Sequence, residues 1–312
     1  LSSVVREVIQ NSLDARKDLD KPVKLTFSLD EVNKQEFKGF EEIKAHLKAS
    51  ADMAELQELD DWLKYYKKGI KEIERTKKVK ILSIHDYNTN GLTGPLDEPI
   101  GSWAALIKGA GISQKSGNSD LGSYGHGSKA PFSYSKVRTV FYFSRIFGPN
   151  CNGFEDRFQG KSILQTHSDP KDPEIKTQGM GFYGHIKKLD PLINDEVPEW
   201  AKKLRNSVSL GTGTSIFVPY TEYDNHLFPE TRITVVANFF YAIYSGALEV
   251  TVDNEIINKD NIKECFYDCE NILENEQDDI DVSHIKECFK SINTILNPDE
   301  HYSQQIQGFG NV

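Results

Sequence analysis

The sequence predicts an α+β fold, because helical and strand patterns occupy separate stretches of the chain. Apolar residues recur at helical spacing in residues 1–19 and again in the highly charged stretch 35–78. Residues 23–29 instead alternate between apolar and other side chains, as half-buried strands do. Further strand-like runs lie at residues 79–84, 137–143, 215–218 and 247–252. A helix is expected at residues 231–245.

Length and composition limit the classes of protein that the chain can belong to. Its 312 residues, 38% of them hydrophobic, suffice for one large or two small domains with a sizeable core. No apolar run approaches the ~18 residues that span a bilayer, and no secretory signal opens the chain. We therefore expect a cytoplasmic protein without a membrane segment. The formal charge of -10 argues against a surface built to coat nucleic acid.

The four cysteines predict free thiols in a reducing compartment. They are too few for a disulfide scaffold, and none forms a C-x-x-C pair. A zinc site is the alternative, but the spacing fits no common zinc motif. The cysteines are Cys151, Cys265, Cys269 and Cys288.

The first helix carries a polar stripe. Glu7, Asn11 and Asp14 stand at i, i+4 and i+7, so they fall within a narrow arc of one helix face. Such a stripe is ordinary on a surface helix. Here the apolar residues occupy the other side, and Ser12 and Ala15 keep the neighbourhood small, which suits a polar ligand lying along the helix.

An aspartate follows the apolar run 79–84. Asp86 opens a stretch rich in Asn, Thr and Gly that continues to Gly94. A carboxylate at a strand end can accept a hydrogen bond from a ligand amine, and turn residues let the backbone approach closely. A plain turn is the alternative. A calcium loop is disfavoured, because Asp97 stands at its twelfth position and the flanks do not fit paired helices.

A glycine-rich loop covers residues 121–132. Gly122, Gly125 and Gly127 are spaced so that backbone N–H groups can face an anion, and Lys129 adds a positive charge. The stretch is neither a Walker loop nor a dinucleotide fingerprint. A flexible hinge is the alternative.

A fourth segment, residues 211–216, leads into a predicted strand. Its Thr214 hydroxyl could support the contact that Asp86 makes with a ligand. By itself the segment indicates only the start of a strand.

Taken in order, these four segments resemble the GHKL ATPase superfamily. Residues 6–15 look like its first box, E-x-x-x-N-x-x-D-A, and Asp86 looks like the adenine-reading aspartate of D-x-G-x-G. Residues 122–129 are close to the glycine motif as MORC proteins carry it, and residues 213–216 resemble the G-T-x-I box. More narrowly, the chain is similar to bacterial ATP-binding proteins of defence islands. Asn88 stands where the D-x-G-x-G pattern has its first glycine, and Gly91 comes one residue late.

The resemblance implies an ATP site that uses Mg²⁺. Glu7 would orient and deprotonate the attacking water, and Asn11 would hold Mg²⁺. Asp86 would accept the adenine amino group with support from Thr214, and Asp14 would brace the pocket. The residues implied to contact the nucleotide are Asn11, Asp14, Asp86, Asn90, Gly91, Gly122, Tyr124, Gly125, His126, Gly127, Ser128, Lys129 and Thr214.

The same resemblance implies the architecture. The expected fold is a two-layer α/β sandwich of the Bergerat ATP-binding type, with helices on one face of a mixed, mostly antiparallel sheet. Residues 1–220 would form the ATP-binding domain, with a helical insertion at 33–78. Residues 221–312 would be a C-terminal extension, part of a transducer domain. ATP is expected to order the lid segment 109–127.

Three functions remain open on the sequence. The leading one is an ATPase whose nucleotide state switches a homodimer or a partner protein, in bacterial anti-phage defence. The second is a protein histidine kinase. The third is a nucleotide-gated module that binds protein or nucleic acid with little hydrolysis. Lysines between residues 64 and 78, beside Trp62 and two tyrosines, favour a nucleic-acid partner, but a solvated helix face is the simpler explanation of them.

Overall fold

The computed structural model describes residues 1–96, 98, 100–108, 130–148, 153–185, 189–206, 211–275, 282–296, 305–306 and 310–311. None of the helices in this described part of the chain is both long and apolar enough to cross a membrane.

The first quarter of the chain forms two strands with a pair of helices between them. The elements are α1 (Ser2–Asp14), β1 (Val23–Asn33), α2 (Phe40–Leu56), α3 (Asp60–Arg75) and β2 (Lys78–Tyr87). The sequence predicted two or three helices between these strands, and the structure has two long ones.

The remaining elements are short runs of strands separated by helices. Gly101–Trp103 (α4) continues into a π-helical turn at Ala104–Lys108. The middle elements are α5 (Ala130–Tyr134), β3 (Thr139–Phe147), β4 (Phe154–Ile163), β5 (Met180–Tyr183), β6 (Leu192–Ile193), α6 (Glu199–Asn206) and β7 (Gly213–Pro219). The last are α7 (Leu227–Tyr244), β8 (Leu248–Val252), β9 (Glu255–Ile257), α8 (Ile262–Asn275), α9 (Val282–Leu296), β10 (Gln305–Ile306) and β11 (Gly310–Asn311).

One mixed sheet contains nine of these strands. Its order is β5-β4-β3-β7-β2-β1-β8-β9, and β6 pairs with β4 beside this path. The β1–β8 pair is parallel and the other pairs are antiparallel. The expectation of a mixed, mostly antiparallel sheet is confirmed. The boundary at residue 220 stays a prediction, and the structure places β8 and β9, which follow it, in the same sheet.

Helices cover both faces of the sheet, which corrects the expected two-layer arrangement. On β3, Val140 and Tyr142 belong to a core shared with α1, α7, α8 and α9, whereas Phe141 and Phe143 belong to a core shared with α2, α3 and α6. We call these the first face and the second face. The α2–α3 insertion packs on the second face, because strands such as β3 are apolar on both sides and need cover on both. The Bergerat topology itself stays a prediction.

The basic stretch of α3 forms contacts with neighbouring acidic and aromatic side chains. Lys68 forms an ion pair with Glu222, and Lys67 lies 3.8 Å from a carboxylate oxygen of Glu55. The Arg138 guanidinium lies 5.1 Å from the ring centre of Trp62. These contacts support the interpretation of a solvated helix face over a nucleic-acid surface.

Two of the cysteines are buried in α8. Cys265 and Cys269 are free thiols inside the first-face core. Burial raises the pKa of the Cys269 thiol to about 12, so it stays protonated at neutral pH. Cys151 lies outside the described residues.

Candidate functional site

Asp86 is a buried carboxylate at the end of a central strand. Side chains alternate along β2, and Leu82 and Ile84 point to the first face, so Asp86 points there too. Only 8% of the residue is exposed. Its Oδ1 accepts the Thr214 backbone N–H at 2.8 Å and the Thr89 hydroxyl at 2.5 Å. The Thr214 backbone amide therefore holds the carboxylate in place from β7, and the predicted support from the Thr214 hydroxyl stays a prediction.

The second carboxylate oxygen of Asp86 keeps open acceptor capacity. Ser12 Oγ lies 3.2 Å from Oδ2, but it also lies 2.8 Å from the Val8 carbonyl oxygen. A hydroxyl has one proton, so Ser12 shares it between the Val8 carbonyl oxygen, at the shorter distance, and Oδ2 of Asp86. A donor group of a ligand would meet a carboxylate oxygen with unused lone pairs.

Burial also changes the protonation of this carboxyl group. Loss of solvent raises the pKa of Asp86, and the nearby Arg205 charge and the donors Thr89, Thr214 and Ser12 oppose that rise. A hydrogen-bond donor of a ligand would favour the ionised form for the same reason.

Gly213 allows β7 to approach Asp86 this closely. Its φ of +148° is a backbone conformation that side chains rarely adopt. A Cβ at this position would lie 2.2 Å from the Asp86 backbone oxygen and 2.6 Å from Oδ1. A glycine is therefore required one residue before Thr214.

Arg205 of α6 is a buried cation on the other side of Gly213, and sequence analysis missed it. Its Nη1 donates to the Thr214 carbonyl oxygen at 2.9 Å and to Ser215 Oγ at 3.1 Å. The guanidinium lies 4.0 Å from the ring centre of Tyr87, whose hydroxyl donates back to the Arg205 carbonyl. The sequence signal that could have indicated its burial is its position four residues after Ala201, on the apolar face of α6.

The end of α1 is joined to the loop that follows β2. The Asn90 N–H donates to the Ala15 carbonyl at 2.9 Å, and the Lys17 N–H donates to the Asn88 carbonyl at 2.9 Å. Together with the contact between Ser12 and Asp86, these bonds place the end of α1 directly beside the carboxylate.

The backbone conformation of Asn88 explains how an asparagine can stand where the D-x-G-x-G pattern has a glycine. Its φ is +61°, in the left-handed region that glycine and asparagine occupy most readily. Its Nδ2 also donates to the carbonyl oxygens of Asp18 and Lys21, each at 2.9 Å. The side chain therefore organises the 18–22 loop while the backbone turns as a glycine would.

The polar stripe of α1 is on its outer side. Asn11 Nδ2 donates to Glu7 Oε1 at 3.3 Å, so the predicted base and the predicted Mg²⁺ ligand are in contact. Asp14 instead accepts from Gln10 at 3.2 Å. Asn11 and Asp14 are exposed, and Glu7 is half-buried. The structure thus joins Glu7 with Asn11, and the face of α1 that meets Asp86 is the one that carries Ser12.

Two other predicted contact residues lie in the loop after β2. Gly91 is buried with φ of +70°, and a Cβ there would lie 2.8 Å from Ser144 Oγ on β3. The glycine therefore packs the loop onto β3. Asn90 is exposed.

The glycine loop lies outside the described residues. The whole of the lid segment 109–127 lies outside them as well. The predicted contact residues concerned are Gly122, Tyr124, Gly125, His126, Gly127, Ser128 and Lys129. Within the described ranges, no group of three or more His, Cys, Asp or Glu side chains gathers as a metal site. The predicted Mg²⁺ site would not need such a group, because Asn11 would supply one oxygen ligand while nucleotide phosphates and waters supply the others. This role of Asn11 stays a prediction.

This arrangement suits a ligand that carries a hydrogen-bond donor. The ligand would lie on the first face, between the end of α1, the end of β2 and the start of β7. No protein-family model matches this chain, and no curated protein matches it.

Proposed function

We propose that the chain binds ATP with Mg²⁺ and hydrolyses it, with the adenine amino group at Asp86. The observation that carries the proposal is a buried carboxylate with one oxygen fixed by Thr214 and Thr89. The other oxygen has the longer contact with Ser12, which leaves it a lone pair for a ligand donor. A buried acceptor of this kind distinguishes an amino group from a carbonyl at the same ring position, because a carbonyl would leave both oxygens unpaired.

Three local features support the adenine end of the site. Gly213 permits the close approach of β7, as the glycine of a G-T-x-I box would. Asn88 adopts the left-handed backbone that a D-x-G-x-G glycine would supply. The end of α1 is hydrogen-bonded to the same loop through Ala15. The end of α1, the loop after β2 and the start of β7 therefore lie together beside one carboxylate, which supports the proposal.

The chemistry of hydrolysis is assigned to Glu7 and Asn11. The Asn11 amide nitrogen donates to Glu7, which leaves the amide oxygen to face a cation and orients the carboxylate. Glu7 would take a proton from the attacking water. Bound Mg²⁺ would neutralise phosphate charge and help to orient the leaving group.

The output of the site would be a switch. ATP binding would order the glycine-rich segment 109–127, and the ordered lid would create a surface for a second copy of the chain or for a partner protein. Together with the resemblance to defence-island ATP-binding proteins, this leads us to propose a role in bacterial anti-phage defence in the cytoplasm.

The experiment combines calorimetry with phosphate release in the wild type, Glu7→Gln and a control, Glu31→Gln, on β1. We expect the wild type and the control to bind Mg-ATP and release phosphate. Glu7→Gln should bind with similar affinity and lose at least ~100-fold in turnover, because a general base acts only on the water.

Undiminished turnover in Glu7→Gln would refute the catalytic assignment. Binding without turnover in the wild type would favour the nucleotide-gated module. Transfer of phosphate to a histidine of the chain or a partner would favour the kinase.

A further inference from the structure

A separate cavity lies on the second face, on the opposite side of the sheet from Asp86. Its volume is about 480 Å³, within the range of small-molecule sites. It lies between the start of α2 and strands β3 to β5. The apolar part of its wall includes Ile43, Phe141, Leu164, Met180 and Tyr183. Phe141 belongs to the second-face core, so this cavity and the Asp86 site do not share a wall there.

Two histidines form a hydrogen-bonded pair at this cavity. Nδ1 of His46, on α2, lies 2.8 Å from Nε2 of His167. Nδ1 of His167 lies 2.7 Å from the backbone carbonyl oxygen of Gln165. Both histidines line the cavity, and His167 is 2% exposed.

The hydrogen-bond partners determine which ring nitrogens carry the protons when both rings are neutral. A carbonyl oxygen can only accept, so His167 carries its proton on Nδ1 and donates to Gln165. The nearby hydroxyls of Ser50 and Thr177 have carbonyl acceptors of their own, at 2.8 and 3.1 Å, so their protons are not needed by His167. His167 Nε2 is then an acceptor, and His46 must donate to it from Nδ1.

His46 is consequently left with a bare nitrogen. With its proton on Nδ1, its Nε2 is a lone-pair acceptor, and the hydrogen bonds within the described ranges give that atom no partner. Burial, followed by the neighbouring His167, lowers the pKa of His46, so the neutral form prevails at pH 7.

The charges around the cavity are mixed. Glu42 precedes His46 by one helical turn and also lines the cavity, as does the exposed Lys38. Asp169 and Lys171 act on His46 from the segment after His167. One acid and one base on each side leave little net field. The acceptor on His46 adds a directional group to a wall that also contains the hydroxyls of Thr139, Ser162 and Thr177.

We propose that this cavity binds a small organic molecule with an apolar body and an N–H or O–H group that donates to Nε2 of His46. The aromatic and aliphatic walls would bury the body, and the carbonyl of Gln165, acting through His167, would hold the His46 ring in its accepting tautomer. The inference does not depend on ATP binding.

Nitrogen NMR on protein labelled with ¹⁵N-histidine tests the proposal. The probes are 4-methylphenol, benzylamine and, as a matched molecule without a donor, 4-methylanisole. In the free protein we expect protonated Nδ1 and bare Nε2 on both His46 and His167. At least one donor probe should shift the His46 Nε2 resonance in a saturable manner, while 4-methylanisole leaves it in place.

The two donor probes separate a hydroxyl ligand from an amine ligand. His46→Phe should weaken binding of the effective probe by about tenfold, the scale of one hydrogen bond in a buried site. The control His185→Phe, outside the cavity, should not change it. The proposal is overturned if neither donor probe shifts His46 Nε2 at millimolar concentration, if 4-methylanisole shifts it equally, or if Nδ1 of His46 is unprotonated. Because the first readout uses the wild type, a variant that fails to fold does not affect it.

Discussion

Gly213 and Asp86 are packed so closely that any side chain on the glycine would enter the space of the carboxylate. A Cβ on Gly213 would lie 2.6 Å from Oδ1 of Asp86 and 2.8 Å from Nη2 of Arg205. The glycine thus separates a buried acid from a buried base while letting the next residue, Thr214, donate its amide to the acid.

Gly213→Ala should destabilise the protein and disrupt the site together. The new Cβ would meet backbone that cannot move without shifting β7 on β2, and the φ of +148° would be strained. We expect a loss of ~2–4 kcal/mol in the free energy of unfolding, measured with urea. Gly181→Ala is the control, since its Cβ would meet only Ser162 at 4.0 Å, and it should change stability by less than ~0.5 kcal/mol. Equal effects of the two variants would contradict this packing.

Arg205→Met should be strongly destabilising, and its effect should depend on Asp86. Arg205 is completely buried and donates to the carbonyls of Thr214 and Gly211. Its loss leaves those acceptors and the Asp86 charge uncompensated, which costs on the order of 3–5 kcal/mol.

A double-mutant cycle with Asp86→Asn measures this dependence. Removing the buried negative charge should recover ~1 kcal/mol or more of the loss in the Arg205→Met background. Additive effects, within about 0.5 kcal/mol, would show that Arg205 acts only through β7.

Because His85 is buried, we expect the free energy of unfolding to fall in acid. It lies on the second face of β2, with Nδ1 2.8 Å from Ser215 Oγ, and burial lowers its pKa to about 3. The unfolded chain takes up a proton near pH 6.5 that the folded chain excludes. Above about pH 6.5, His85 is neutral in both states and does not lower the free energy of unfolding. As the pH drops from about 6.5 towards 3, protonation of the unfolded chain lowers it progressively.

His85→Gln removes the titration while retaining a hydrogen-bonding side chain for Ser215. Urea unfolding at pH 7 and pH 4.5 should show a smaller loss in the variant than in the wild type, by ~1–3 kcal/mol. Groups other than His85 are the same in both proteins, so their contributions cancel in this comparison. Equal losses would show that His85 is accessible to protons in the folded state.

The sequence was most informative where one segment carries its own pattern. The spacing of Val4, Val5, Val8 and Ile9 predicted α1 and its buried face, and β2 and β7 were recognised from short apolar runs. The run through β3 also contained the information that both faces are covered, because consecutive apolar residues are typical of a strand buried on both sides.

The site was less predictable where it depends on distant residues. Asp86 was recognised from its place after a strand, yet Arg205 follows it by more than a hundred residues and reaches it only through the packing of α6 on the second face. The pairing of His46 with His167 has the same origin, since neither histidine belongs to a local motif. Conversely, Asn88 departs from the D-x-G-x-G pattern, yet its positive φ is a conformation typical of glycine, which spacing alone does not show.

The proposed function depends above all on Asp86 accepting a hydrogen bond from the amino group of adenine. The most direct test is one calorimetric comparison of ATP with purine riboside triphosphate, which lacks that amino group, in the wild type and in Asp86→Asn. We expect the wild type to prefer ATP by about tenfold or more. Asp86→Asn should lose most of that preference, while Asp253→Asn, in the exposed β8–β9 turn, should keep it. The same preference in the wild type and in Asp86→Asn would show that Asp86 does not bind the amino group.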